Sequence, residues 1–107
     1  MIINDVFEVI EKRFEEGDPE KSYTAKLKKE GIEKILKKVQ EETMELIIAS
    51  WEGDKEKIIA EATDLFFHTM ILLKYRDVRF SDIENEFKKR FGISGIEEKK
   101  QRKIKKE

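Results

Sequence analysis

From Gln40 to His68 the chain reads QEETMELIIASWEGDKEKIIAEATDLFFH, and this stretch decides the fold. Gly53 suits the residue just past a helix end, where the backbone turns left-handed, and Asp54 suits the N-cap of a following helix. Two helices joined by so short a link must run antiparallel. Ile32, Ile35, Leu36, Val39, Leu46 and Ile47 carry helical spacing back from the turn, and the apolar run around residues 62–73 carries it forward. The pattern therefore predicts a helix over residues 32–51 and a second over residues 55–76. Working outward, Val6, Phe7, Val9, Ile10 and Phe14 predict a helix over 4–16, ended by Gly17-Asp18-Pro19. A short helix over 24–30 stops at Gly31, and Ser81 with Glu84 three residues later reads as a capping box opening a helix over 82–91. No stretch keeps the alternation of a strand, so the expected class is all-α, a helical bundle built on one long antiparallel hairpin.

The hairpin carries two acidic couplets in apolar surroundings, Glu42/Glu45 on its first arm and Glu61/Asp64 on its second. Residues three apart on a helix share a face, so each couplet points two carboxylates the same way. Glu45 lies about as far before the turn as Glu61 lies after it, which sets the couplets at similar heights, able to face each other. Ionised carboxylates drawn out of water and crowded together are costly unless a cation compensates them. A divalent cation held by Glu42, Glu45, Glu61 and Asp64 is the simplest reason to keep them there. Spacing alone is weak support, since Glu8/Glu11 and Glu30/Glu33 share it. The latter pair, however, sits among Lys28, Lys29 and Lys34 and reads as solvated surface.

Other residues on the same faces have two readings. Glu41 is either a further ligand or water-orienting base, or an exposed charge near Lys37. Lys38, one turn before Glu42, either meets a phosphate oxygen as a point charge or is solvated. His68, one turn after Asp64, either touches substrate or fills the core. Ser22, Tyr23 and Thr24 precede a helix and offer hydroxyls and amides to an anion or ribose, or simply form a cap. Phe66, Phe67, Met70, Ile71 and Leu72 read as core or subunit interface.

Composition narrows the chemistry. The 107 residues contain no cysteine, which excludes disulfides and thiolate metal sites and leaves hard oxygen ligands suited to Mg2+, with Mn2+ possible by the same chemistry. The 23 basic and 24 acidic side chains nearly cancel, so no global field points to nucleic acid. No apolar stretch has the length of a membrane span or a secretory leader, and a soluble, cytoplasmic protein is expected. The length suits one domain over residues 1–107, with a basic, partly ordered tail from residue 92. Charged residues make up 44% while Asn and Gln occur only at Asn4, Asn85, Gln40 and Gln101, a bias of hot-growing organisms. Two long helices apolar on several faces exceed what one small chain can bury, so a homodimer or higher even homo-oligomer is expected.

Glu41-Glu42-x-x-Glu45 followed by Glu61-x-x-Asp64 resembles the signature of the all-α, MazG-like nucleoside-triphosphate pyrophosphatases. The flanks Ser22-Tyr23-Thr24-Ala25-Lys26-Leu27, Gly31 to Val39, Ala62 to His68 and Ser94-Gly95-Ile96-Glu97-Glu98-Lys99 resemble, within that superfamily, the phosphoribosyl-ATP pyrophosphatases of histidine biosynthesis. Gln40, where a small residue is usual, and Phe67, where tyrosine is common, depart from the pattern without removing a carboxylate. The resemblance implies hydrolysis of phosphoribosyl-ATP to phosphoribosyl-AMP and pyrophosphate, with magnesium held by the four carboxylates, Glu41 near the water, and Lys38, Ser22, Tyr23, Thr24 and His68 toward substrate. It also implies that residues 94–99 pack on a neighbouring subunit or cover the substrate. Two other functions remain open at this point: a house-cleaning pyrophosphatase for free or modified nucleotides, and a non-catalytic helical module whose acidic faces bind a basic partner.

Overall fold

The computed structural model describes residues 2–92, and those residues form five α-helices with no strand among them. The tail from residue 93, including the 94–99 segment, lies outside the described residues. α1 is Ile2–Glu16, α2 Tyr23–Glu30, α3 Ile32–Glu52, α4 Lys55–Tyr75 and α5 Phe80–Phe91. The all-α reading and the central hairpin hold.

The turn chemistry explains the hairpin. Gly53 has φ 75°, its N–H donating to the carbonyls of Ala49 and Ser50, and the Asp54 carboxylate accepts from the N–H groups of Glu56 and Lys57. A side chain at Gly53 would be strained by that backbone angle. Gly31 separates α2 from α3 with a different backbone, φ 97° and ψ 179°, and still donates its N–H to the Leu27 carbonyl.

Five boundaries differ by one or two residues from those the sequence predicts, and three of them are informative. α1 starts two residues earlier, at Ile2, in a region without a capping signal. α4 ends through Asp77, which takes φ 60° while Val78 N–H reaches back to the Leu73 carbonyl; the left-handed residue is not glycine, so composition gave no warning. α5 is capped not by Ser81 but one turn around Asp82, whose carboxylate accepts from the Arg79 N–H at 2.9 Å, leaving Ser81 inside the helix.

The core gathers at the end of the hairpin away from Gly53. Ile10 of α1, Leu27 of α2, Ile35 of α3 and Ile71 of α4 form one buried cluster, with Phe67, Met70, Leu72 and Tyr75 packed against it. Phe7 is buried beside Phe80 of α5, ring centroids 5.6 Å apart. Lys74 of α4 fastens α1 through Glu15 at 2.6 Å and Glu11 at 4.0 Å. Toward the turn the hairpin is nearly bare, with Ala49 the one buried residue between Ile35 and His68.

Candidate metal and catalytic site

α3 and α4 pack side by side, and midway along them they bring three carboxylates together. One oxygen each from Glu42, Glu61 and Asp64 lie within 4.8 Å of one another. Glu42 comes from the first arm, its side chain only 15% exposed, while Glu61 is half-buried and Asp64 open to solvent. The two arms must supply these groups jointly, because no single helical turn could.

The group is electrostatically strained in a way that suits a cation. The Glu61 carboxyl is held above the usual carboxylate range, first by partial burial, then by hydrogen bonding with Glu42 and by the negative charges of Glu42 and Asp64. Oxygens on opposite sides of an octahedral Mg2+ stand about 4.2 Å apart, so the observed separations close onto one ion with small side-chain adjustments. The donors are all hard oxygens, the set that Mg2+ and Mn2+ prefer.

Glu45 does not join the three. Two positions separated by three residues differ by about 60° around a helix, and here Glu42 takes the side facing α4 while Glu45 is turned to solvent. Glu41 is likewise exposed, 3.4 Å from the Lys38 ammonium, which also lies 4.0 Å from Glu42. Partial burial would lower the Lys38 pKa, but Tyr23, Glu41 and Glu42 outweigh it and the net shift is upward. Lys38 is thus a fixed positive charge at the edge of the acidic group.

The residues expected to meet substrate from α2 are engaged elsewhere. The Ser22 hydroxyl caps α2 by accepting from the Ala25 N–H at 3.2 Å, and Thr24 is buried in the core. The Tyr23 hydroxyl is turned inward, 2.8 Å from His68 Nε2. His68 Nδ1 lies 2.7 Å from the Asp64 carbonyl, which can only accept, so the proton sits on Nδ1 and Tyr23 donates to Nε2. Both ring nitrogens are therefore satisfied, and of the two readings the sequence left for His68 the structure shows the core one, a part-buried tie between α2 and α4. Phe67 stacks on Tyr23 at 6.3 Å and completes this aromatic seam. The sequence raised the possibility of a core histidine but gave no pointer to Tyr23 as its partner, 45 residues away.

Comparison with known proteins adds a substrate class. A family model described as phosphoribosyl-ATP pyrophosphohydrolase matches residues 3–91. A phosphoribosyl-ATP pyrophosphatase of Geotalea daltonii is 48% identical over 101 residues, covering 94% of this chain and 94% of that protein. That of Geobacter sulfurreducens is 50% identical over 101 residues, covering 94% and 93%. That of Paracoccus denitrificans is 51% identical over 87 residues, 81% of each.

Proposed function

The chain belongs to the phosphoribosyl-ATP pyrophosphohydrolase family, and from that membership we propose that it hydrolyses phosphoribosyl-ATP to phosphoribosyl-AMP and pyrophosphate, within histidine biosynthesis, at the Glu42/Glu61/Asp64 group. The observation that carries this reading is the meeting of those three carboxylates from two helices around one point.

In the reaction a water oxygen attacks phosphorus, the anhydride between the α- and β-phosphates breaks, and the water's proton passes to a carboxylate. Phosphoryl transfer asks mainly for positioning and for neutralisation of phosphate charge. Glu42, Glu61 and Asp64 would hold a divalent cation, Mg2+ or Mn2+. When bound, such an ion supplies positive charge to the phosphate oxygens. Lys38 adds a second positive charge beside Glu42, placed to meet a further phosphate oxygen. Glu45, and Glu41 beside Lys38, are both exposed and outside the three-carboxylate group, lie within one helical turn of it, and are the groups we assign to receiving the proton. The Tyr23–His68 tie keeps the α4 segment bearing Asp64 seated on α2.

The partner is a second copy of the chain. Met44, Ile47, Ile48 and Trp51 recur at i, i+3, i+4 and i+7 on α3 and are all exposed, as are Ile59 and Phe66 on α4. An apolar stripe of that extent marks an association surface. No helix of the described residues is long and apolar enough to cross a membrane. A nucleotide substrate and the absence of cysteine suit a cytoplasmic enzyme.

The test is pyrophosphate release from phosphoribosyl-ATP against a panel of nucleoside triphosphates, with Mg2+ and then with excess EDTA. We expect release from phosphoribosyl-ATP, lost on chelation. Faster release from ordinary triphosphates would move the chain to house-cleaning chemistry, and none from any nucleotide would reduce it to a binding module.

A further inference from the structure

Trp51, the sole tryptophan, stands 92% exposed at the tip of the hairpin. A groove of about 290 Å³ opens at the other end, between Ile2, Ile3 and Val6 of α1 and Phe66, Phe67 and Met70 of α4, with Thr63 at its wall. We propose that this groove receives the Trp51 indole of a second copy, so that two copies exchange their tips across a two-fold axis. This rests on the dimer reading and specifies its register.

The hairpin supplies the ruler. Trp51 is two residues before Gly53, and Phe66 to Met70 are thirteen to seventeen residues after it. At the helical rise these levels are about 3 Å and about 20–26 Å from the turn. A two-fold axis crossing the hairpin midway, near Glu45 and Glu61, carries each tip onto the level of the other copy's groove. Both insertions then occur at once, as a self-complementary interface requires. The same operation brings Met44, Ile47 and Ile59, which lie on either side of that midpoint, against their counterparts.

Chemistry agrees with level. The named groove residues are apolar, and the one polar group on its wall, the Thr63 hydroxyl, already donates to the Ile59 carbonyl at 2.7 Å. Its oxygen keeps acceptor capacity, which is what an incoming indole N–H needs. Area agrees as well. Ile2, Met44, Ile47, Trp51, Ile59 and Phe66 are each more than half exposed, and at on the order of 100 Å² apiece they supply about 600 Å² per partner, the lower edge of the range for a stable interface. A small-molecule occupant would leave Trp51 and this stripe in water.

Because the chain has no cysteine, the register can be read by crosslinking. A Trp51→Cys/Val6→Cys variant, oxidised and run without reductant, should give covalent dimers. Either single variant should give none, and no bridge can close within one chain because the tip and the groove are too far apart. Trp51 fluorescence in the unmodified protein should be blue-shifted and shielded from iodide at high concentration, reverting on dilution. Val6→Glu should expose it and weaken association by about 30-fold. Sedimentation separates the outcomes. A dimer that fails to crosslink, keeps Trp51 exposed, or crosslinks through Trp51→Cys alone overturns the groove and leaves the dimer standing. A monomer at every concentration overturns both, and none of these readouts depends on turnover.

Discussion

The Tyr23 hydroxyl offers a sharp test of how this site is held, because it donates to His68, whose ring is buried. Tyr23→Phe keeps the ring, hence its stacking on Phe67 and its edge contact with His68, and removes one oxygen. His68 is 6% exposed, so its Nε2 would be left without its protein donor in a part-buried place. Stranding a buried polar group costs about 1–3 kcal/mol. At about 4–6 °C per kcal/mol for a domain of this size, melting should fall by about 4–18 °C. His68→Leu alone should also destabilise, but the double variant strands nothing, so the two losses should fall short of additive by about 1 kcal/mol or more. Circular-dichroism melts and urea titrations at one fixed protein concentration measure this, since association would otherwise shift the midpoints. Steady-state pyrophosphate release should show KM changed less than about threefold. A Tyr23→Phe protein that melts like the parent while its KM rises tenfold would refute the reasoning and return Tyr23 to the substrate.

Further expectations follow from the acidic group and the turn. Asp64→Asn should lower turnover by several orders of magnitude with the fold retained by circular dichroism. The raised Glu61 pKa favours folding only while the carboxyl is protonated. That contribution is full below its unfolded value near 4.5 and is lost as pH rises through the folded value, so at neutral pH the ionised group opposes folding. Glu61→Gln should therefore melt higher than the parent at pH 7, with the gap closing below about pH 4, as melts across pH would show. Mg2+ should raise the melting temperature of the parent, by an amount equivalent to about 2.7 kcal/mol at a hundredfold excess over Kd, and should do little for Asp64→Asn. Gly53→Ala, strained at φ 75° but with open space around it, should cost about 1 kcal/mol in urea unfolding without altering turnover.

The hairpin was legible because its signals are local and redundant. Helical periodicity runs on both sides of one glycine and one aspartate whose conformations no other reading explains. The acidic group was legible only in part. Counting residues gave height correctly, but the i, i+3 rule treats two side chains as one direction when they are about 60° apart, so it could not tell that Glu42 would face α4 and Glu45 solvent. The end of α4 was hidden because Asp77 adopts the conformation usually signalled by glycine. The core reading of His68 was open in the sequence, but its partner was hidden, because it comes from a helix 45 residues earlier. Nothing in the local text marks Tyr23 as a core donor.

What those residues share is a division of labour along one hairpin. Its far end is packed by α1 and α2 around Ile35 and Ile71, its middle carries like charges, and its tip leaves Trp51 bare. The middle is the part that costs folding energy, and it lies between two regions that can supply it. The core fixes α3 and α4 at one end, and the Tyr23–His68 tie reaches to within one turn of Asp64. If only that end were secured, repulsion among Glu42, Glu61 and Asp64 would be relieved by splaying the arms toward Gly53, where Ala49 alone is buried. Covering the tip with a second copy, as proposed above, would close this escape. Association and cation binding would then act on the same hairpin from outside and inside, and association would hold the geometry that an ion needs before the ion arrives.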